Sequence, residues 1–277
     1  MSSPGADDLL VRSRRALLDV LDALEAHRDS AIVVGAQAIY LRTSSSLVAL
    51  AEATKDSDVA LDPRTLDDDP LIENAMATAG FVRDLGSGQP GAWLSSEGIP
   101  VDLMVPERLA GRARKNARGA RIPPHDPGAT RRARGLEAAI VDNDVMEVGA
   151  LDPSDARRHD VRVAGPAALL IAKMHKLADR AHSSPHRLVD KDAHDVYRIL
   201  VDAETDALAR KFRDLREDEF SAEVTLAAQT HLAELFASSS EATGSMMAGR
   251  AEQGIGELAT VSLQVSILAA DLVAALP

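Results

Sequence analysis

The stretch ATKDSDVALD, residues 53–62, sets Asp56 and Asp58 one serine apart at the start of a short apolar run. In a strand, successive side chains alternate faces, so the two acids share one face while Ser57, Val59 and Leu61 take the other. Two like charges at that spacing repel each other, and something cationic must offset them: water and lysine, or a metal ion.

The flanking sequence places this segment in a mixed α/β region. Leu9, Leu10, Val11, Leu17, Leu18, Val20, Leu21 and Leu24 recur at helical spacing, which predicts an opening helix from about Asp8 to His27. AIVVGAQAIYLR reads as a buried strand over 31–34 that turns at Gly35 into a second helix. DSDVAL is the next strand, and a helix from Leu71 to Ala79 ends at Gly80. GAWLSSEGIPVDLMV reads as two strands around a Ser-Ser-Glu-Gly turn, and further strands are expected at Val145–Leu151 and Val161–Val163. From Pro166, which suits a first helical turn, helices are expected over 166–182, 190–202, 204–216, 219–238 and 254–275. The predicted organisation is a mixed α/β domain over 1–164 and a helical domain over 165–277.

Composition narrows the chemistry. The chain has 277 residues, 45% hydrophobic and 27% charged, which suits a soluble globular protein of one large or two ordinary domains. The opening MSSPGADDLL lacks a basic n-region, and VSLQVSILAADLVAALP is interrupted by Ser, Gln and Asp, so a cytoplasmic protein with no membrane partner is expected. There is no cysteine, which excludes disulfides, thiolate zinc sites and a cysteine nucleophile. A net charge of −12 disfavours indiscriminate coating of nucleic acid. Between Glu107 and Arg134, however, Arg108, Arg112, Arg114, Lys115, Arg118, Arg121, Arg131, Arg132 and Arg134 face only Glu107 and Asp126. That run is either a solvated loop balanced by acids elsewhere or a phosphate-binding surface.

A third carboxylate bears on the first two. In IPVDLMV, Val101, Leu103 and Val105 form one strand face and leave Asp102 with Met104 on the other. Asp56, Asp58 and Asp102 on one open face would suit Mg²⁺, a hard cation commonly shared between carboxylates and substrate phosphates. His175, His182, His186 and His194 are close in sequence but lack the HExxH spacing of a zinc helix, and HSSPH reads as a loop. Trp93 reads as hairpin packing rather than a base-stacking platform.

The order of a strand ending in VVG, a helix, a DxD strand and a later hydrophobic-Asp-hydrophobic strand resembles the DNA polymerase β-type nucleotidyltransferase superfamily. The later blocks VAGPAALLIAKMHKLADR (163–180) and VDKDAHDVYRIL (189–200) resemble the lysine-bearing helix and the [RK]DxxD helix of its AbiEii/MenT-like branch, whose members include toxins of type IV toxin–antitoxin systems. The resemblance covers residues from about 31 to 200. It implies an α+β fold with a mixed sheet and flanking helices, and Mg-dependent transfer of NMP from an NTP to a hydroxyl acceptor. That acceptor would be RNA such as a tRNA 3′ end, met through Arg108 to Arg134, or a protein or small molecule; an antitoxin would be a further partner. Carried over residue by residue, Asp56, Asp58 and Asp102 are the metal and catalytic positions, Gly35 and Ala36 the triphosphate turn, and Lys173, Lys176 and Asp192 the nucleotide contacts, with Asp195 a structural partner.

Two positions depart from the pattern. Ala36 and Gln37 stand where members usually carry a second Gly or a Ser, and TSSSLVALAEAT lengthens the connection from Gly35 to Asp56. They leave room for a catalytically silent nucleotide- or RNA-binding regulator. A plain scaffold, with these acids in caps and surface ion pairs, is the other alternative. Lys173, Lys176 and Arg180 project from one side of their helix, opposite Leu170, Ile171, Met174, Leu177 and Ala178, so this basic stripe faces either solvent or a cleft.

Overall fold

The computed structural model describes residues 6–43, 56–112, 118–252 and 256–276. The fold is α+β, with a mixed eight-stranded sheet flanked by helices and a set of C-terminal helices. The chain divides into two compact units, Met1–Ala38 with Ala53–Leu136 and Asn143–Ala164, and the remainder.

The first unit opens with α1 (Ala6–Ala23) and runs through β1 (Ala31–Val34), the turn into α2 (Gly35–Arg42), β2 (Ser57–Leu61) and α3 (Ile72–Thr78). Then come β3 (Val82–Arg83), β4 (Ala92–Leu94), β5 (Pro100–Pro106), β6 (Arg131–Ala133), β7 (Asn143–Gly149) and β8 (Arg158–Ala164). The sheet order is β3-β4-β5-β2-β1-β8-β7, with β6 paired to β5 beside β4. Ser57, Val59 and Leu61 are buried, as are Val101, Leu103 and Val105. Alternation turns these residues to one face of the sheet, where Ser57 Oγ donates to the Ser13 carbonyl of α1 at 2.8 Å. The opposite face receives Asp58 and Asp102.

The expected hairpin is β4–β5, closed by Ser95 Oγ, which accepts the amides of Glu97 and Ile99, and by Gly98 at φ +73°. Trp93 is buried in it and donates Nε1–H to the Ala129 carbonyl at 3.0 Å. The opening helix is shorter than expected. It stops at Ala23 and a 3₁₀ segment, Glu25–Ser30, follows, with Ser30 Oγ donating to the His27 carbonyl and His27 Nε2 bonded to the Pro70 carbonyl. These side-chain bonds to backbone compete with the helical ladder.

The second unit contains α4 (Glu137–Val141), α5 (Pro166–Ser183), α6 (Asp190–Asp202), α7 (Thr205–Glu217), α8 (Ala222–Leu232), α9 (Thr243–Ala251) and α10 (Leu258–Ala275). A π-helical segment, Ala233–Ala237, ends α8, so the single helix expected over 219–238 is broken in register. α9 was not expected from its glycines. They are there for contact: a Cβ on Gly244 would strike the Phe236 ring, and one on Gly249 would strike the Leu258 carbonyl and Ser262. α10, with mean hydropathy 1.8, is long and apolar enough to cross a membrane by length and composition; it buries Val261, Val265, Ala269 and Leu272.

Candidate functional site

The sheet register builds the site. β2 and β5 are parallel neighbours with Asp58 opposite Asp102, so the two carboxylates stand side by side on one face. Asp56 is exposed and lies two residues before Asp58, and its charge is felt at Asp102 together with that of Asp58. β1 runs antiparallel to β2 with Val34 opposite Asp58, so the chain turns at Gly35 directly beside that carboxylate. Gly35 has φ +66°, and a Cβ there would overlap Asp58 Oδ2. Only glycine supplies both the left-handed backbone and the space, which accounts for the glycine of VVG.

Asp102 is the electrostatically unusual member. Its pKa is pushed up to about 6 by burial and by the negative charges of Asp58 and Asp56, against the opposing pull of Arg131. Arg131 Nη2 donates to Asp102 Oδ2 at 2.6 Å and touches Met104 Sδ at 3.2 Å. β6 carries Arg131 opposite Met104 in the parallel ladder with β5, which sets the guanidinium on the carboxylate face. Apart from its membership of the basic run, the sequence gives no sign of this role.

The donor set is of the kind that suits a hard divalent cation: Asp58 and Asp102 stand side by side, with the charge of Asp56 felt at Asp102. As they stand, the carboxylates do not form a closed cage, and among the described residues no three His, Asp or Glu side chains are gathered tightly enough to hold a metal.

Ala36 and Gln37, the departures from the expected turn, have distinct surroundings. Ala36 is buried. Gln37 is fully buried, accepts from Arg14 Nε at 2.9 Å and donates to Ser13 Oγ at 3.1 Å, which ties the start of α2 to α1. Residue 37 is thus part of the frame behind the turn. The lengthened connection before Asp56 lies outside the described residues.

Lys173, Lys176 and Asp192 belong to the second unit, where the basic stripe of α5 meets the acidic edge of α6. Lys173 Nζ donates to Asp192 Oδ1 at 2.7 Å and to Asp195 Oδ2 at 2.6 Å, with a side chain only 8% exposed. Lys176 Nζ, 43% exposed, reaches Asp192 Oδ1 at 2.8 Å, and Arg180 Nη1 reaches Asp192 Oδ2 at 2.7 Å. Burial works to raise the Asp192 pKa, but Lys173 and Lys176 hold it far below the usual carboxylate range. The stripe therefore faces α6, an arrangement not among the two expected for it.

Two of the four clustered histidines are engaged by separate partners. His175 Nε2 bonds to the Val224 carbonyl and His194 Nε2 to Glu252 Oε1, while His182 and His186 are exposed. In the basic run, Arg132 is spent on the carbonyls of Ala110, Gly111 and Gly119, whereas Arg112, Arg118 and Arg121 are exposed; Arg114 and Lys115 lie outside the described residues. Compared with protein families, curated proteins and solved structures, the chain matches none.

Proposed function

We propose that the first unit is a nucleotidyltransferase-like domain of the DNA polymerase β type, in the AbiEii/MenT-like branch, that moves NMP from an NTP to a hydroxyl of RNA such as a tRNA 3′ end. The observation that carries this reading is the pairing of Asp58 with Asp102 across parallel strands, with Asp56 beside them and the left-handed Gly35 turn against Asp58.

In this reading Asp56 and Asp58 hold Mg²⁺, which when bound neutralises the triphosphate and the departing pyrophosphate. Asp102, side by side with Asp58, would complete the metal site and help activate the attacking hydroxyl, as the resemblance implies. Gly35 and Ala36 let the backbone approach the phosphates, since neither has a side chain beyond Cβ. Of the residues the resemblance implies in the second unit, Lys173 is buried between two carboxylates and Lys176 is the more exposed cation. Exposed Arg112, Arg118 and Arg121 supply cations for an RNA backbone.

Incubating the protein with Mg²⁺, each labelled nucleoside triphosphate and total bacterial RNA tests the proposal. Label should enter RNA with the unaltered protein and not with Asp58→Ala. Label entering added protein or a small hydroxylated acceptor instead would retain the chemistry and change the acceptor. Nucleotide binding without transfer would identify a silent regulator.

A further inference from the structure

Arg131 and Arg132 are neighbours on β6 with opposite kinds of anchorage. Arg132 is bonded to three backbone carbonyls and is fixed as a strut. Arg131 has one strong acceptor, Asp102 Oδ2, and a weak one in Met104 Sδ, and its Nε is buried without any hydrogen-bond partner. A guanidinium has five donors, so one committed to structure would have more of them satisfied. Arg131 instead approaches a carboxylate that already feels Asp58 and Asp56, and offsets part of that charge.

We propose that Arg131 is a built-in counter-ion that competes with a divalent cation for Asp102 and so sets the cation affinity of the carboxylate site. The proposal rests on the reading of Asp56, Asp58 and Asp102 as metal ligands. One oxygen of Asp102 is engaged by Arg131, at a side chain that is itself only 31% exposed. A cation that enters must separate the Arg131–Asp102 pair, and the affinity measured is the intrinsic affinity reduced by the weight of that pair. The pair restrains cation binding rather than assisting it.

The test is Mn²⁺ binding to the full chain at pH 8, followed by electron paramagnetic resonance of the free ion, with Mg²⁺ calorimetry beside it. Arg131→Gln removes the competing charge and should tighten Mn²⁺ binding on the order of tenfold, the weight of one charge-assisted bond. Arg131→Lys, which loses the planar fork, should tighten it less, and it decides the matter if the glutamine variant does not fold. Asp102→Asn should weaken binding whichever residue stands at 131. Unchanged or weaker Mn²⁺ binding by a folded Arg131 variant would overturn the counter-ion role and leave the metal site standing. Absence of Mn²⁺ binding by the unaltered chain and every variant would overturn the metal-site reading together with it.

Discussion

Replacing Asp102 by Asn should stabilise the protein at neutral pH, an unusual outcome for a residue read as functional. The folded-state pKa of Asp102 is raised from 3.8 to about 6, so the fold favours the protonated acid. An unfolded chain releases this proton at lower pH. The unfolded state therefore binds fewer protons between about pH 4 and 6, and Asp102 makes stability fall as pH rises through that window. The full shift corresponds to about 3 kcal/mol, and solvent screening of a side chain 31% exposed reduces it to about 1–2 kcal/mol. Asparagine mimics the protonated acid and still offers Arg131 an acceptor. At pH 7.5 without divalent cations, thermal melts should show Asp102→Asn higher by about 2–8 °C, given roughly 2–4 °C per kcal/mol for a unit of this size. At pH 4 the two proteins should converge. A variant less stable than the unaltered protein at pH 7.5, or an advantage undiminished at pH 4, would refute the argument that burial and the neighbouring carboxylates disfavour ionised Asp102.

Three further substitutions test the frame around the site. Gly35→Ala should destabilise the protein by about 1–3 kcal/mol in thermal melts, because alanine meets both a left-handed φ of +66° and the Asp58 carboxylate, and it should weaken Mn²⁺ binding in the same samples. Lys173→Met should cost about 3–5 kcal/mol in denaturant unfolding, since Asp195 and Asp192 are buried against its ammonium; adding Asp195→Asn should recover a large part of that loss. Gln37→Ser, which restores the residue type expected after the glycine, should cost about 1–3 kcal/mol by leaving Arg14 Nε and Ser13 Oγ without their buried partner, as measured by urea titration.

The strands that build the candidate site were legible because alternation and register are local rules. DSDVAL and IPVDLMV each have one clean apolar face, and a one-residue slip would bury an aspartate in place of a valine. The Gly35 turn was legible as a turn, but its close approach to Asp58 depends on the antiparallel pairing of β1 and β2, which the sequence does not state. β6 escaped notice because Arg131–Ala133 has no apolar pattern and is held as a strand by its ladder with β5. The basic stripe of α5 was visible as a stripe. Its destination was not, because the acids that meet it come from α6, a contact set by helix packing rather than by spacing within either helix.

The two charge clusters resolve the same conflict in opposite ways, and the difference bears on function. In the helical unit, Asp192 has three cationic partners and Asp195 one, and the network is closed over a lysine that is almost wholly buried. Lys173 cannot be drawn out of that network without leaving a buried charge. On the sheet, Asp102 has the Arg131 guanidinium against its burial and the charges of Asp58 and Asp56, and its pKa stays raised. Burial and like charge of this kind lower stability, and a cation binding there would relieve them. Burial of Asp102 together with the charges of Asp58 and Asp56 would then be the source of differential affinity, with free energy held against the apo fold and recovered on binding. The Asp102→Asn melts detect the cost of the ionised acid before any substrate is known, and repeating them in Mg²⁺ asks directly whether it is recovered: the unaltered protein should gain stability with added cation, and the asparagine variant should gain less.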